Sequence, residues 1–161
     1  MEDKQPVRVA FVCLGNICRS PMAQAVFSKV VKDRGHTKVI SKIDSFGTAA
    51  YHTGETPDYR TVAVCKQHEV PINHRAQKIA PAHFQEFDYI ICMDEANLHT
   101  LRSRQPRGSK AVVRMFGHWR QDKSFPEVVE DPYYGGVDGF EACYKQCVHF
   151  SQEFIKREIE N

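Results

Sequence analysis

A short apolar, β-branched-rich run, Val7–Val12, gives way eight residues on, at Ser20, to a segment with apolar side chains at helical spacing. Such a run reads as a parallel strand buried on both faces. Ser20-Pro21 then opens a helix, because serine is a good cap and proline suits the first turn. Ala23, Val26, Phe27, Val30 and Val31 mark its buried stripe, and Gly35 ends it. The alternation repeats along the chain. Val39–Ser45 is predicted as a second strand, and Pro57 starts a helix that runs to about His68 and is stopped by Pro71. Tyr89–Met93 is a third strand, followed by a helix from Asp94, its N-cap, to Arg104. Lys110–Met115 is a fourth strand. A closing helix over 140–159 places Phe140, Cys143, Tyr144, Cys147, Phe150, Phe154 and Ile155 on one face.

This order predicts an α/β fold, a short parallel sheet flanked by helices on both faces, formed by residues 1–161 as a single domain. No repeat, low-complexity tract or Pro/Gly/Ser-rich linker divides the chain. A hydrophobic share of 42% and a charged share of 26% are those of a soluble globular protein. A net charge of +2 is too small to point to nucleic acid, and no apolar run approaches the ~20 residues of a membrane span. The polar "MEDKQPVR" start is unlike an export signal and "KREIEN" is unlike a lipidation signal, so a cytoplasmic location is expected. The six cysteines are then expected as reduced thiols, since C-x-x-C and closed zinc patterns are absent.

In sheets of this kind ligands bind outside the carboxyl ends of the strands. The segment there, Cys13-Leu14-Gly15-Asn16-Ile17-Cys18-Arg19-Ser20, is neither a Walker loop nor a dinucleotide loop. Its seven residues from Cys13 to Arg19 can wind so that their N–H groups face one centre, at the start of a helix. That makes a site for a tetrahedral anion. Gly15 and Asn16 are residue types that tolerate the positive φ a tight ring demands. Arg19 offers a fork for two phosphate oxygens, and Cys13 lies at the base of the ring. Helix N-termini and cations favour a thiolate, and the Ser20 hydroxyl is placed to bond it. A thiolate facing a bound phosphate is a nucleophile for phosphoryl transfer.

Displacing an alcohol also needs a proton donor for the leaving oxygen. "EDPYYGG", Glu130–Gly136, supplies Asp131 in a loop stiffened by Pro132, where the like charge of a bound phosphate favours a protonated carboxyl. Tyr133 and Tyr134 follow at once, suited to stacking on an aromatic substrate.

"VCLGNICRSP" at 12–21, together with "EDPYYG" at 130–135, resembles the low-molecular-weight protein tyrosine phosphatase family. Asp44-Ser45, "PDYR" at 57–60, His74 and "FDYIICMDEANL" at 87–98 fall in the family's order and spacing, so the likeness spans essentially the whole chain. The resemblance implies a four-stranded parallel sheet and hydrolysis of phosphotyrosine proteins and small aryl phosphates, releasing inorganic phosphate. It implies Cys13 as nucleophile through a phosphocysteine, Arg19 as phosphate clamp, and Asp131 as general acid and then base. Leu14, Gly15, Ile17 and Cys18 complete the phosphate loop. Asn16 is implied to hold the loop's shape with Ser45 and His74, and Ser20 to stabilise the thiolate. Tyr51, Tyr133 and Tyr134 are implied as walls of a cleft too deep for phosphoserine, with His52 and Glu55 of the variable loop tuning peptide preference. No cofactor or metal is implied, because loop N–H groups and Arg19 supply the charge.

Family members with this pair of loop thiols form a reversible disulfide on oxidation, which the resemblance extends to Cys13 and Cys18. Tyr133 and Tyr134 match positions that the family can phosphorylate. The remaining thiols, Cys65, Cys92, Cys143 and Cys147, are expected in the core. Weak self-association through the tyrosine-rich face stays open. Two alternative readings remain. A thiol-dependent arsenate reductase of the same fold needs two further relay cysteines, where this chain offers only Cys92. A non-catalytic phosphotyrosine-binding module would be supported by loss of Cys13, Arg19 or Asp131, all of which are present, and its signature would be stable phosphopeptide binding without product release.

Overall fold

The computed structural model describes residues 5–134 and 137–161; among these, the side chains of Tyr134 and Val137 lie outside the description. Four strands, β1 (Val7–Cys13), β2 (Ile40–Gly47), β3 (Tyr89–Cys92) and β4 (Val112–Met115), pair in the order β2-β1-β3-β4. Every pairing is parallel, with Phe11 opposite both Ser45 and Ile91. The expected sheet is present, each strand within two residues of its sequence-based bounds.

Strand geometry explains why β1 is apolar throughout. Side chains alternate between the faces of a strand, so Val9, Phe11 and Cys13 enter one core while Ala10 and Val12 enter the other. The first core is closed by α1 (Arg19–Asp33), α2 (Tyr59–Gln67) and α5 (Val137–Phe154), through Met22, Phe27, Val64, Phe150 and Phe154. The second is closed by α3 (His83–Glu86) and α4 (Glu95–Arg104), through Phe84 and Leu101. Phe11 meets Phe27 edge-on at 5.2 Å and Phe116 at 5.1 Å. Burying each such ring contributes roughly 1.5–3 kcal/mol, so this cluster anchors the strand that delivers Cys13.

The helix ends follow local chemistry. Gly35, at φ +75°, closes α1; Asp58 caps α2 by accepting from the Arg60 N–H; and Asp94 forms a capping box with Asn97 on α4. The start of α1 departs from the expectation. Its cap is Cys18, with no side-chain cap bond, because the Ser20 hydroxyl is committed elsewhere. α3 was not expected; four residues are too few for periodicity to show. Cys65, Cys92, Cys143 and Cys147 are all buried, as expected. Among the described residues no helix is long and apolar enough to cross a membrane.

Candidate active site

β1 feeds α1 toward β2, whereas β3 feeds α4 toward β4, so the crevice opens at the carboxyl ends of the two central strands. The loop after β1 forms its floor, and the Asp94 turn after β3 bonds Arg19 at its edge. Cys13, only 3% exposed, ends β1 with its Sγ turned up into the loop. Two donors converge there: the Asn16 N–H at 3.3 Å and the Ser20 hydroxyl at 3.0 Å.

The direction of the Ser20 bond follows from its neighbours. Asn16 Oδ1 accepts the backbone N–H of Gln77 at 2.9 Å, which fixes the orientation of the Asn16 amide. Its Nδ2 therefore donates to Ser20 Oγ at 2.8 Å and to Ser45 Oγ at 3.0 Å. Ser20 Oγ, accepting from Asn16, has one proton to give, with Cys13 Sγ at 3.0 Å and the Phe46 carbonyl at 3.4 Å as its acceptors, and the shorter contact is the one to sulfur. His74 Nε2, 2.8 Å from the same Asn16 oxygen, must carry its proton. Burial keeps His74 below its ordinary 6.5, despite the opposing pull of Asp44. Neutral His74 thus aligns Asn16, and Asn16 aligns Ser20. Ser45 completes the set by donating to Gln24 at 2.6 Å. Asn16 itself sits at φ +59°, the left-handed region where asparagine is tolerated.

Asn16→Ala would remove four hydrogen bonds and place a β-carbon residue without polar compensation at positive φ. A loss of about 2–4 kcal/mol in unfolding free energy is expected from chemical denaturation. A loss below the worth of a single bond would show that the loop keeps its shape without this side chain.

Gly15 was expected at positive φ, and it is not there. A β-carbon on it would come within 3.0 Å of the His52 ring, so its value is room for the variable loop to pack on the phosphate loop. Gly47 serves similarly from β2, where a β-carbon would meet the Leu14 carbonyl oxygen at 2.8 Å.

Arg19 is 2% exposed and lies beside the floor. It donates to Asp94 Oδ2 at 2.6 Å and to the Val129 carbonyl at 3.1 Å, while its other terminal nitrogen is 3.6 Å from Asp131 Oδ2. Burial opposes its charge, but Cys13, Asp94 and Asp131 outweigh that cost and hold the guanidinium above its ordinary value. Sequence reasoning saw Asp94 as a helix cap alone. Its place at the end of β3, where this fold gathers ligand-facing groups, was the available signal for its second role.

A cleft of about 190 Å³ opens above, lined by Cys13, Leu14, Gly15, Ile17, Cys18, Arg19, Tyr51, His52, Asp131 and Tyr133. The expected nucleophile, clamp, acid and two of the three tyrosines therefore meet in one cavity. Asn16, Ser20, Ser45 and His74 form the layer that supports it. Tyr51 is 74% exposed and stands at the rim. The third tyrosine, Tyr134, is expected as a cleft wall, and its side chain lies outside the described residues. Cys18 shares the cleft with Cys13, and burial, then the charge of Asp58, push its thiol well above the ordinary range.

A family model described as "Low molecular weight phosphotyrosine protein phosphatase" matches residues 8–160. A relative of that description from Saccharomyces cerevisiae is 50% identical over 158 residues, 98% of each chain. One from Homo sapiens is 42% identical over 159 residues, 98% of this chain and 99% of its own. Among solved structures, Primo-1 superposes with a TM-score of 0.90 at 37% identity, covering 95% of this chain and 99% of its own. A protein tyrosine phosphatase from Entamoeba histolytica with Hepes in the active site gives 0.90 at 33% identity, covering 96% and 97%.

Proposed function

The chain belongs to the low-molecular-weight phosphotyrosine protein phosphatase family, and from that premise we propose how it acts: it hydrolyses phosphotyrosine in proteins, and small aryl phosphates, through a phosphocysteine. The observation that carries this reading is the convergence of two donors on Cys13 Sγ at the floor of a cleft that also holds Arg19 and Asp131. Donors aimed at sulfur can hold the negative charge that leaves it on attack and returns to it when the sulfur–phosphorus bond breaks.

In the first step the Cys13 sulfur attacks phosphorus and the bond from phosphorus to the aryl oxygen breaks. Asp131 passes its proton to the departing oxygen. In the second, Asp131 takes a proton from water as the water oxygen attacks phosphorus. The sulfur–phosphorus bond breaks, releasing inorganic phosphate and restoring the thiolate. Arg19, tethered by Asp94, and the loop N–H groups balance the equatorial oxygens throughout, the task a metal performs elsewhere. A metal-independent acid phosphatase activity on simple aryl esters follows, with tyrosine preferred because the nucleophile lies below aromatic walls.

Cys18 extends the proposal to redox control. Peroxide oxidises the Cys13 thiolate to a sulfenic acid and is itself reduced to water. The Cys18 thiol, protonated at rest, condenses with it, losing a second water and leaving a disulfide that an added thiol reduces. A cytoplasmic location suits such reversibility.

The arsenate reductase alternative draws little support. Cys92 is fully buried, and burial holds its thiol up to about 12, which is unlike an attacking relay thiol.

Phosphate release from matched phosphotyrosine and phosphoserine peptides, with a chelator present, tests the reading. Rapid release from the tyrosine peptide alone is expected, lost on brief peroxide treatment and regained with dithiothreitol. The Cys18→Ser variant is expected to lose activity without recovery. Equal turnover of both peptides, or binding without release, would overturn the proposal.

A further inference from the structure

We propose that Arg60 is a positioning residue that holds the loop bearing Asp131 over the phosphate loop; this rests on the phosphatase reading above. Arg60 lies in the first turn of α2, outside the cleft, and touches neither Cys13 nor Arg19 in any described contact. Its guanidinium is fixed on one side by Asp58, with Nε 3.0 Å from Oδ1 and Nη2 3.0 Å from Oδ2. That two-point grip sets the plane of the group, which a single contact would leave free to rotate.

The oriented group then meets aromatic rings. It lies 4.6 Å from the centroid of Phe140, buried at the start of α5, and 5.3 Å from that of Tyr133. Both are within the reach of cation–π attraction. Tyr59 adds a third ring at 5.7 Å. Tyr133 belongs to the 3₁₀ turn Pro132–Tyr134, directly after Asp131.

The link to the acid is a hydrogen bond. The Tyr133 N–H donates to Asp131 Oδ1 at 3.0 Å, leaving Oδ2 to face Arg19. Where Tyr133 is held, the Asp131 carboxyl is aimed. At its other end the device is tied to the floor of the site, since the Asp58 N–H donates to the Ile17 carbonyl at 2.8 Å. Asp58 and Arg60 thus bridge the loop that carries the nucleophile and the turn that carries the acid. Proton transfer depends steeply on such placement.

Replacement of Arg60 leaves the α2 cap in place, because the bond to Asp58 Oδ1 also comes from the backbone N–H of residue 60. Arg60→Met therefore isolates the side chain. The readout is kcat/KM for two esters: phenyl phosphate, whose leaving oxygen needs a proton, and dinitrophenyl phosphate, whose leaving oxygen needs little. Arg60→Met is expected to lower kcat/KM about tenfold for phenyl phosphate and less than about twofold for dinitrophenyl phosphate. Inhibition by inorganic phosphate should be unchanged, since the phosphate loop is untouched. Arg60→Lys keeps the charge but loses the fork and the flat face, and should show the same pattern; it carries the test if the methionine variant does not fold. In an Asp131→Ala background neither substitution should lower kcat/KM further.

Equal losses on both esters, no loss on either, or additive losses with Asp131→Ala would overturn the positioning role while leaving the phosphatase reading intact. Failure of the unaltered protein to hydrolyse either ester would overturn both.

Discussion

Cys13→Ser is expected to lower phosphate release from aryl phosphates by at least about 10⁴-fold while inorganic phosphate still occupies the cleft. Asn16 N–H and the Ser20 hydroxyl both point at Cys13 Sγ, and Arg19 is held above its ordinary value chiefly by Cys13 once the cost of burial is met. A serine hydroxyl keeps its proton under the same donors and is a far weaker nucleophile. The fold should tolerate the change, because oxygen is smaller than sulfur and the two neighbours can bond it. Initial rates with phenyl phosphate, alongside phosphate binding followed by calorimetry, separate the two effects. Turnover near that of the unaltered protein would remove the phosphocysteine from the mechanism; loss of phosphate binding would show instead that the loop had collapsed.

Asp131→Ala is expected to lower kcat/KM for phenyl phosphate by about 10²–10⁴-fold, the usual worth of a placed proton donor. The limb of the pH–rate profile that reports loss of the acid's proton should disappear with it. The loss should shrink on esters whose leaving group is already a stable anion. The clamp survives this substitution, because Arg19 keeps its 2.6 Å bond to Asp94 and its 3.1 Å bond to the Val129 carbonyl. Cys13→Ser and Asp131→Ala therefore probe two different roles, nucleophile and proton donor, proposed for the same step. A uniform loss across esters, with the pH profile unchanged in shape, would assign the proton to another group.

Much of this could be read before any coordinates. The run Val7–Val12 reads as a doubly buried strand because both its faces are apolar, and both faces are indeed in cores. Cys13, Arg19 and Asp131 stood out because their chemistry requires particular residue types at particular spacings. Ser20 was half legible: serine before proline at a helix start ordinarily signals a cap, but here a nearby thiol and an amide compete for the hydroxyl and win it. Gly15 was expected to supply a positive φ and does not; what the structure shows there is a close approach of the His52 ring. α3 was hidden by its brevity.

Local order and chemical identity were therefore set by the chain itself: which segments are strands, where the anion loop falls, and which thiol faces it. These depend on neighbours within one or two turns, and such interactions leave a periodic or compositional trace. The long-range partnerships were decided only by folding. Asp94 lies 75 residues from Arg19, and no reading of the chain paired them; His74, 58 residues from Asn16, was paired with it only through the family resemblance. Arg60 reaches Tyr133 across a similar separation. No local pattern marks such pairs: Asp94 already has a sufficient local explanation as a cap, and Arg60 stood out only within the "PDYR" run. Packing the two central strands' carboxyl ends beside α2 and the Asp131 turn brings them together, and that packing gives Cys13 Sγ its hydrogen-bond partners and sets the Asp131 carboxylate towards Arg19.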